Sequence, residues 1–242
     1  MYDWTATSPD PNDGKAVRRW CEYYDGISRI VLLRKVGKKR DEFIADLCDV
    51  GGRVLDIGMA EHTFRYVDSG NWFHRKLRAL EPRNEVWGAD INSALVEQIR
   101  ERFQWDRLVC ADATGEPFRR DYFDAIHAGD IIEHVSDAGG FMRFCKGALK
   151  QGGRLIVTTP NPHAWSIIRS IFRCGHVIAN FEHTCWFTPS TINELCRREG
   201  FVLAQSWYLW SKKRALVAHL PKTHFKLRDV LFSEYLFVLT KA

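Results

Sequence analysis

Strand patterns and helix patterns alternate along most of this chain, and the alternation limits its fold more than any other feature. From residue 53 onward, short apolar runs are separated by segments whose apolar residues recur every three or four positions. Such alternation predicts an α/β fold, with a doubly wound, mostly parallel sheet, right-handed crossovers and helices on both faces. The seven predicted strands are residues 54–57, 85–89, 108–111, 123–128, 154–159, 201–205 and 235–239.

The segment before the first strand has a different character. Residues 1–14 are polar and contain two prolines, which predicts a poorly ordered arm. Residues 15–49 carry apolar residues at helical spacing, and a glycine pair ends that pattern. We therefore expect two parts: an N-terminal arm and helical lid over residues 1–50, and the sheet-containing domain over residues 51–242.

The composition is that of a soluble globular protein. The residues are 45% hydrophobic and 27% charged, which excludes collagen, a coiled coil and wholesale disorder. No apolar run approaches the ~18 residues that a membrane-spanning helix needs, and the N-terminus lacks the basic start and apolar run of a signal peptide. The seven cysteines are odd in number and include no Cys-x-x-Cys pair, so a reducing, cytoplasmic location is expected.

The charge of the chain is mildly basic and unevenly distributed. Its net value is +5, and basic residues cluster at 34–35, 38–40 and 212–214. These clusters are either solvated helix ends or surfaces that attract an anionic substrate, a membrane or nucleic acid. No metal site is expected, because the Cys and His residues at 174–176 and 183–185 are closer in sequence than structural zinc ligands usually are.

Acidic residues stand at the ends of three consecutive predicted strands. Asp56, Asp90 and Asp112 lie at carboxyl ends, which is where an open parallel sheet binds its ligands. A carboxylate there can accept two hydrogen bonds from ribose hydroxyls, or one from an amino group. A single acid of this kind is often only a cap for the next helix, but three could all contact one extended nucleoside.

Longer motifs surround these acids. In this order and spacing they resemble the motifs of class I S-adenosylmethionine-dependent methyltransferases, over roughly residues 50–207. The resemblance implies a Rossmann-like fold with S-adenosylmethionine as cofactor. The late segment His183–Phe201 is similar to that of the branch that methylates small molecules, including ubiquinone precursors and sugars. The other motifs are Val54–Gly58, Gly88–Asn92, Cys110–Ala113, Phe123–Val135 and Leu149–Asn161.

The resemblance implies a role for each matching position. Gly58 would make the tight turn after the first strand, and Asp56 would orient that turn and the methionine end of the cofactor. Asp90 would bind the ribose hydroxyls, and Asp112 would accept a hydrogen bond from the adenine amino group. The backbone at 128–129 would meet the methionine amino group. The cofactor-binding residues implied are Asp56, Gly58, Ala60, Asp90, Ile91, Asp112, Ala113, Ala128 and Gly129.

Two departures from the family pattern concern this cofactor site. The family turn carries two further glycines, which permit close backbone approach and positive φ, and this chain has Ala60 and His62 instead. Asp90 follows Asp56 by 34 residues, compared with ~20 in dinucleotide-binding folds. The additional residues, which include 72–75, form either a longer helix and loop over the first strand or an interaction surface and substrate lip.

Histidines near the strand ends are the candidate catalytic bases. Methyl transfer depends on alignment with the activated methyl group, and a hydroxyl acceptor usually needs a base as well. His134, His163 and His183 follow predicted strands, and histidine suits proton transfer near neutral pH. We expect His134, and after it His183, to be catalytic, although each could be a surface or packing residue. The expected function is methyl transfer to a small molecule or sugar, at oxygen.

Two other functions stay open. Nucleic-acid methyltransferases of this fold commonly carry an Asn/Asp-Pro-Pro-aromatic turn after the fourth strand. This chain has Ala-Gly-Asp-Ile there, at residues 128–131, so a nucleic-acid substrate is the alternative and not the main prediction. The altered glycine turn would also suit a cofactor-binding module without catalysis.

One further segment bears on partners. Residues 163–173 predict a short helix with apolar residues on one face and Arg169 and Arg173 on another. This helix either faces the core or caps the acceptor site and touches a membrane peripherally. The sequence leaves the acceptor and the oligomeric state open.

Overall fold

The computed structural model describes residues 13–31, 39–60, 64–68, 70–178, 180–209 and 228–242. Within these residues the helices are α1 (Gly14–Ile27), α2 (Arg40–Cys48), α3 (Phe64–Val67), α4 (Phe73–Arg78), α5 (Ser93–Phe103), α6 (Ala138–Ala148), α7 (Trp165–Cys174), α8 (Pro189–Glu199) and α9 (Arg228–Leu231). The strands are β1 (Ser28–Val31), β2 (Arg53–Ile57), β3 (Glu85–Asp90), β4 (Leu108–Cys110), β5 (Phe123–Gly129), β6 (Leu149–Pro160), β7 (Phe201–Leu209) and β8 (Glu234–Lys241).

These strands form one mixed sheet in the order β1-β7-β8-β6-β5-β2-β3-β4. β8 is antiparallel to both of its neighbours, β6 and β7, and the other pairs are parallel. The chain runs outward from β2 through β3 to β4 and then returns to β5, on the other side of β2. This reversal puts the topological switch point between β2 and β5, and ligands bind at such points in doubly wound sheets.

The predicted α/β, doubly wound fold is confirmed, and each of the seven predicted strands is present. The expectation that residues 15–49 are helical is wrong at Ser28–Val31, which pair in parallel with β7. Without β1, the outer edge of β7 would expose unpaired backbone groups, and the β-branched residues Ile30 and Val31 suit a strand. The sheet therefore has eight strands, one more than expected.

Helices cover both faces of the sheet, so the central strands are buried on both sides. Along β2, Val54 belongs to an apolar cluster with Ile44 of α2, whereas the next residue, Leu55, belongs to a cluster with Phe141 and Phe144 of α6. Successive strand residues point to opposite faces, and here each face has its own core. Burial of each large apolar side chain contributes ~1.5–3 kcal/mol. This packing holds the strand ends that carry the acids in fixed positions.

The long segment between β2 and β3 packs on the sheet through a buried tryptophan. Trp72 is 1% exposed, stacks on Trp105 at a centroid distance of 5.4 Å, and donates from Nε1 to the carbonyl of Met59 at 2.6 Å. Met59 lies in the turn after β2, so the inserted residues brace that turn. The inserted residues contain the short helices α3 and α4, and their packing on this turn agrees with the first predicted alternative, while the substrate lip stays a prediction.

Helix α7 lies at the surface, with Ile167, Ile168 and Ser170 half-buried and its other residues exposed. None of its residues is buried, so the core-facing alternative for this helix is wrong. Trp165 is 50% exposed and Phe172 is 81% exposed. Among the helices of the described ranges, none combines the length and apolar character that crossing a lipid bilayer requires. The N-terminal arm up to residue 12, and the basic clusters at 34–35 and 212–214, lie outside the described residues.

Candidate functional site

A cavity of about 800 Å³ opens at the carboxyl edge of the sheet, at the switch point between β2 and β5. Its wall is formed by the ends of β2, β3 and β5 and by the loop after β4. Ligand pockets usually measure roughly 300–1,000 Å³, so one nucleoside and an acceptor fit in this volume. The predicted site residues that line the cavity are Asp56, Gly58, Asp90, Ile91, Asp112, Ala113, Gly129 and His134.

The remaining predicted site residues are not in this wall. Ala60 and Ala128 are fully buried. His183 lies behind His134, with the two imidazole rings edge to face and their centroids 4.8 Å apart. His163, the other histidine considered as a base, is exposed and does not line the cavity.

The turn after β2 explains why this chain keeps one glycine and replaces another. Gly58 has φ of +75°, and a Cβ added there would lie 2.3 Å from Cδ1 of Ile131. A side chain at this position would be both strained and obstructed. Ala60 does not have positive φ, and its N–H donates to Oδ2 of Asp90 at 3.0 Å. The alanine is therefore accommodated. His62, the other departure, lies outside the described residues.

The acids after β3 and β4 are held by nearby backbone groups. Oδ1 of Asp90 accepts a hydrogen bond from the N–H of Asn92 at 2.9 Å. The N-cap of α5 is Asn92, whose side chain accepts a hydrogen bond from the N–H of Leu95. Asp90 is therefore not the helix cap. Oδ1 of Asp112 accepts from the hydroxyl and the N–H of Thr114, which lower the pKa of Asp112. Both carboxyl groups border the cavity, where they can accept further hydrogen bonds from a ligand.

Asp56 is bonded to two histidines that the sequence reasoning missed. It is 3% exposed, and its oxygens lie 3.0 Å from Nδ1 of His74 and 2.7 Å from Nδ1 of His127. Burial alone would raise the pKa of Asp56, but hydrogen bonds from His127 and His74 outweigh it and lower the pKa. Asp56 makes no hydrogen bond to the turn in the described part of the chain, and Asp90 holds the turn instead. A histidine among Ala125, Ile126 and Ala128 of β5 was the available signal.

The loop that carries His183 is fastened to the segment after β5. The carbonyl of Glu133 accepts hydrogen bonds from the N–H of Thr184 at 2.8 Å and from its hydroxyl at 3.1 Å. The same hydroxyl donates to the carbonyl of Val135 at 2.7 Å. These bonds place His183 against His134, although 49 residues separate them in the sequence. The two predicted catalytic histidines are therefore adjacent, with only His134 in the cavity wall.

A buried carboxyl group lies beside these histidines. Glu133 is 1% exposed, neither carboxyl oxygen has a hydrogen-bond partner among the described residues, and burial raises its pKa to about 7. One side-chain ligand atom from each of Glu133, His134 and His183 lies within 4.8 Å of the others, a grouping that could hold a metal ion. The sequence reasoning considered only ligands close together in the chain, whereas a loop contact forms this group.

An ion-pair network reaches the cavity wall through Arg40 and Asp130. Arg40, at the start of α2, donates to Glu234 of β8 from Nε at 2.8 Å and to Asp130 from Nη2 at 2.9 Å. Asp130 has φ of +54°, unusual for a residue with a side chain, and its N–H donates to the carbonyl of Thr158 at 3.0 Å. The interpretation of residues 38–40 as a solvated helix end is therefore wrong for Arg40, which is half-buried and paired. Such local strain is common beside functional sites.

The assembled site can bind an extended polar ligand and accept a proton. Carboxylates border the cavity at the ends of β2, β3 and β4, and Ile91 adds an exposed apolar side chain between the last two. His134 borders the same space, and an imidazole there can accept a proton from a second ligand.

Comparisons with known proteins agree with this fold. The family model described as "Methyltransferase domain" matches residues 29–206. The chain is 24% identical over 169 residues to a malonyl-[acyl-carrier protein] O-methyltransferase of Legionella pneumophila, covering 69% of this chain and 56% of that protein. It is 29% identical over 149 residues to a ubiquinone/menaquinone biosynthesis C-methyltransferase of Desulfotalea psychrophila, covering 60% of this chain and 56% of that protein. The chain thus spans just over half the length of these two relatives.

A solved structure shares the whole architecture. The methyltransferase in complex with the Haloferax volcanii Trm112 methyltransferase activator has a TM-score of 0.59 and 16% identity, covering 92% of this chain and 94% of that chain. At this identity the likeness shows the fold alone. The family match, in contrast, extends over most of the chain. This chain therefore belongs to the methyltransferase domain family, in its class I, S-adenosylmethionine-dependent form.

Proposed function

We propose that the chain transfers the methyl group of S-adenosylmethionine to a small molecule or sugar, at an oxygen atom. The observation that carries the proposal is that His134 shares one cavity with the three strand-end carboxylates. A cofactor bound along those carboxylates and an acceptor deprotonated by His134 would meet in the same space. The names of the two relatives, a malonyl-[acyl-carrier protein] O-methyltransferase and a quinone-biosynthesis C-methyltransferase, support a small-molecule acceptor.

The cofactor would lie along the carboxyl edge of the sheet. Asp90 accepts hydrogen bonds from the ribose hydroxyls, and Ile91 covers the nucleoside. Asp112 accepts from the adenine amino group, beside the backbone of Ala113. The methionine end lies at Gly129. This placement is supported by the position of all five residues in the cavity wall and by the ionised state that the Thr114 hydrogen bonds favour in Asp112.

The reaction itself needs alignment and one proton acceptor. The cofactor supplies an activated methyl group, so the chain has to hold the acceptor oxygen in line with the bond from sulfur to methyl. A ring nitrogen of His134 takes the hydroxyl proton as the oxygen–carbon bond forms, and the sulfur keeps the electron pair of the bond that breaks. His183 supports the ring of His134 from behind.

The cluster of Glu133, His134 and His183 favours a second possibility for the same step. A divalent cation held by these side chains would lower the pKa of an acceptor hydroxyl directly. A chelator separates the two accounts. If His134 is the base, turnover persists after dialysis against EDTA; if a cation activates the acceptor, turnover is lost and returns when Mg²⁺ or Mn²⁺ is added.

The N-terminal residues would complete the acceptor side. Of the arm and lid predicted over residues 1–50, we assign only the part before β1 to a separate lid, because β1 pairs with β7 in the sheet and α2 packs in its core. The cofactor domain predicted over residues 51–242 therefore also includes β1 and α2, and Arg40 of α2 lines the cavity. Exposed apolar residues of α7, beside Arg169 and Arg173, would allow peripheral contact with an anionic membrane.

All seven cysteines are unpaired, which supports a reducing, cytoplasmic location.

The test of the proposal is product formation from labelled cofactor. The purified chain is incubated with S-adenosylmethionine carrying a labelled methyl group and with hydroxyl-bearing quinone precursors, sugars or malonyl-acyl-carrier protein in separate reactions. Transfer of label to one of these, with stoichiometric S-adenosylhomocysteine, supports the proposal. Calorimetric binding of the cofactor without transfer to any acceptor class would favour a binding module. Transfer to RNA or DNA alone would favour the nucleic-acid alternative.

A further inference from the structure

The carboxylate of Asp56 sets the proton positions of two imidazoles beneath the cavity. Its oxygens lie 3.0 Å from Nδ1 of His74 on α4 and 2.7 Å from Nδ1 of His127 on β5. An ionised carboxylate offers only acceptors, so the proton in each bond is carried by the imidazole Nδ1. In a neutral ring with a proton on Nδ1, Nε2 has a lone pair and can only accept. In its neutral form, each histidine bonded to Asp56 in this way therefore presents Nε2 as a hydrogen-bond acceptor.

The two Nε2 atoms have different surroundings. Nε2 of His74 is buried and has no hydrogen-bond partner among the described residues. Nε2 of His127 has no such partner either, but it is not sealed from solvent, and His127 lines the cavity. A Cβ added at Gly129 would lie 3.0 Å from this Nε2 and 2.8 Å from the adjacent Cε1. A side chain at position 129 would displace the ring or cover Nε2, and the glycine prevents both.

The ring of His127 is held on its other sides. Phe73 packs against it, with ring centroids 4.3 Å apart, and the hydrogen bond to Asp56 fixes its rotation. A group held in place by its neighbours loses little conformational freedom when a ligand binds. His127 is thus a preorganised acceptor at the end of β5, beside the position that the proposed function gives to the methionine end of the cofactor.

We propose that Nε2 of His127 accepts a hydrogen bond from the α-ammonium group of S-adenosylmethionine. This inference rests on the proposed function, which puts the methionine end of the cofactor at Gly129. A neutral ring of this tautomer cannot donate to the cofactor carboxylate, so the ammonium is the complementary group. The negative charge of Asp56 behind the ring also favours a cation. Arg40 and Asp130, which also line the cavity, lie 2.9 Å apart, and Arg40 is paired with Glu234 as well.

The experiment measures three ligands that differ only at this end. S-adenosylhomocysteine has the ammonium and the carboxylate, its decarboxylated form has only the ammonium, and 5′-methylthioadenosine has neither. Binding of each is measured by calorimetry on the full chain and on His127→Asn. Asparagine keeps an amide donor near the position of Nδ1, which preserves the bond to Asp56, and it removes Nε2. Circular dichroism and the melting temperature verify that the variant is folded.

The inference predicts a selective loss. His127→Asn should lower the binding affinity for S-adenosylhomocysteine and for its decarboxylated form by on the order of 10- to 100-fold, since a hydrogen bond to a charged group is removed. The affinity for 5′-methylthioadenosine should be unchanged. An equal loss for all three ligands, or no loss for any, would overturn the inference. A loss confined to S-adenosylhomocysteine would also overturn it, because the partner would then be the carboxylate.

A matched variant and the unmodified chain complete the design. His74→Asn changes the other imidazole on Asp56, whose Nε2 is buried, so it should not discriminate among the ligands. The same selective loss in His74→Asn would show that the cluster as a whole is responsible and would refute the role of Nε2. If the unmodified chain binds none of the three ligands, the proposed function itself fails, and this inference fails with it.

Discussion

Gly58→Ala tests whether the turn after β2 tolerates any side chain at all. The backbone of Gly58 has φ of +75°, and a Cβ there would lie 2.3 Å from Cδ1 and 2.9 Å from Cγ1 of Ile131. A left-handed backbone costs a residue with a Cβ roughly 1–2 kcal/mol. Ile131 is half-buried and its Cδ1 is the end of a flexible side chain, so the contact adds up to about 3 kcal/mol, and less where the side chain moves aside. We therefore expect the free energy of unfolding to fall by about 1–5 kcal/mol, with weaker binding of S-adenosylmethionine because the turn borders the cavity.

Two further variants separate the backbone cost from the contact cost. Gly152 has φ of +73° but nothing within 4 Å of an added Cβ, so Gly152→Ala should lose only the roughly 1–2 kcal/mol of backbone strain. In Gly58→Ala with Ile131→Val, the atom nearest the new methyl group is absent, and part of the loss should be recovered. Urea unfolding gives the free energies, and calorimetry gives the affinity. The reasoning is refuted if Gly58→Ala is no less stable than Gly152→Ala, or if Ile131→Val gives no recovery beyond additivity.

Four other outcomes follow from the site. Asp90→Ala should lose on the order of 1.5–3 kcal/mol of cofactor binding free energy by calorimetry, since charge-assisted hydrogen bonds are removed; unchanged affinity would contradict the ribose role. His134→Ala should slow turnover by ~10²–10⁴-fold with cofactor affinity unchanged. His183→Ala tests the other predicted base in the same assay. If neither variant slows turnover by more than a few-fold, alignment alone accounts for the reaction. In buffer with EDTA, the stability of the unmodified chain should fall as pH rises from about 4.5 to about 7, because the folded state keeps protons on Glu133 and Glu234 that the unfolded state releases. Glu133→Gln should have a smaller slope in urea titrations at each pH, with the contribution of Glu234 left, and a slope identical to that of the unmodified chain would show that Glu133 is not a source. In a flotation assay at low salt, the unmodified chain should float with anionic liposomes, and Phe172→Ser or high salt should abolish this binding. If the unmodified chain does not float, α7 has no membrane role.

Local sequence was sufficient for the elements and for the edge where they bind a ligand. The periodicity of apolar residues is a property of short windows, and it predicted α5 at Ser93–Phe103 and strands β2 to β8. Acids at the ends of strands reach a common edge in any parallel sheet, so Asp90 and Asp112 could be assigned to the cavity from their positions alone.

The strand at 28–31 was not predictable in the same way. Its residues follow a helix and are compatible with a continued helical pattern, and what decides their conformation is the free edge of β7, about 180 residues later in the chain. The core-facing alternative for α7 failed for a related reason. An amphipathic pattern shows that a helix has an apolar face, but only the packed structure shows whether that face has a partner.

The chemistry of the cavity likewise combines a local and a tertiary part. The sequence by itself determined the fold class and the cofactor, and it placed His134 near a strand end at the cavity, since each depends on residues within one motif or at one strand end. The role of His134 as a base stays a prediction. Only the tertiary structure brought His74 and His127 to Asp56, across 18 and 71 residues, and His183 to His134. A buried carboxylate needs partners from whichever elements surround it, and those elements become neighbours only when the sheet is assembled.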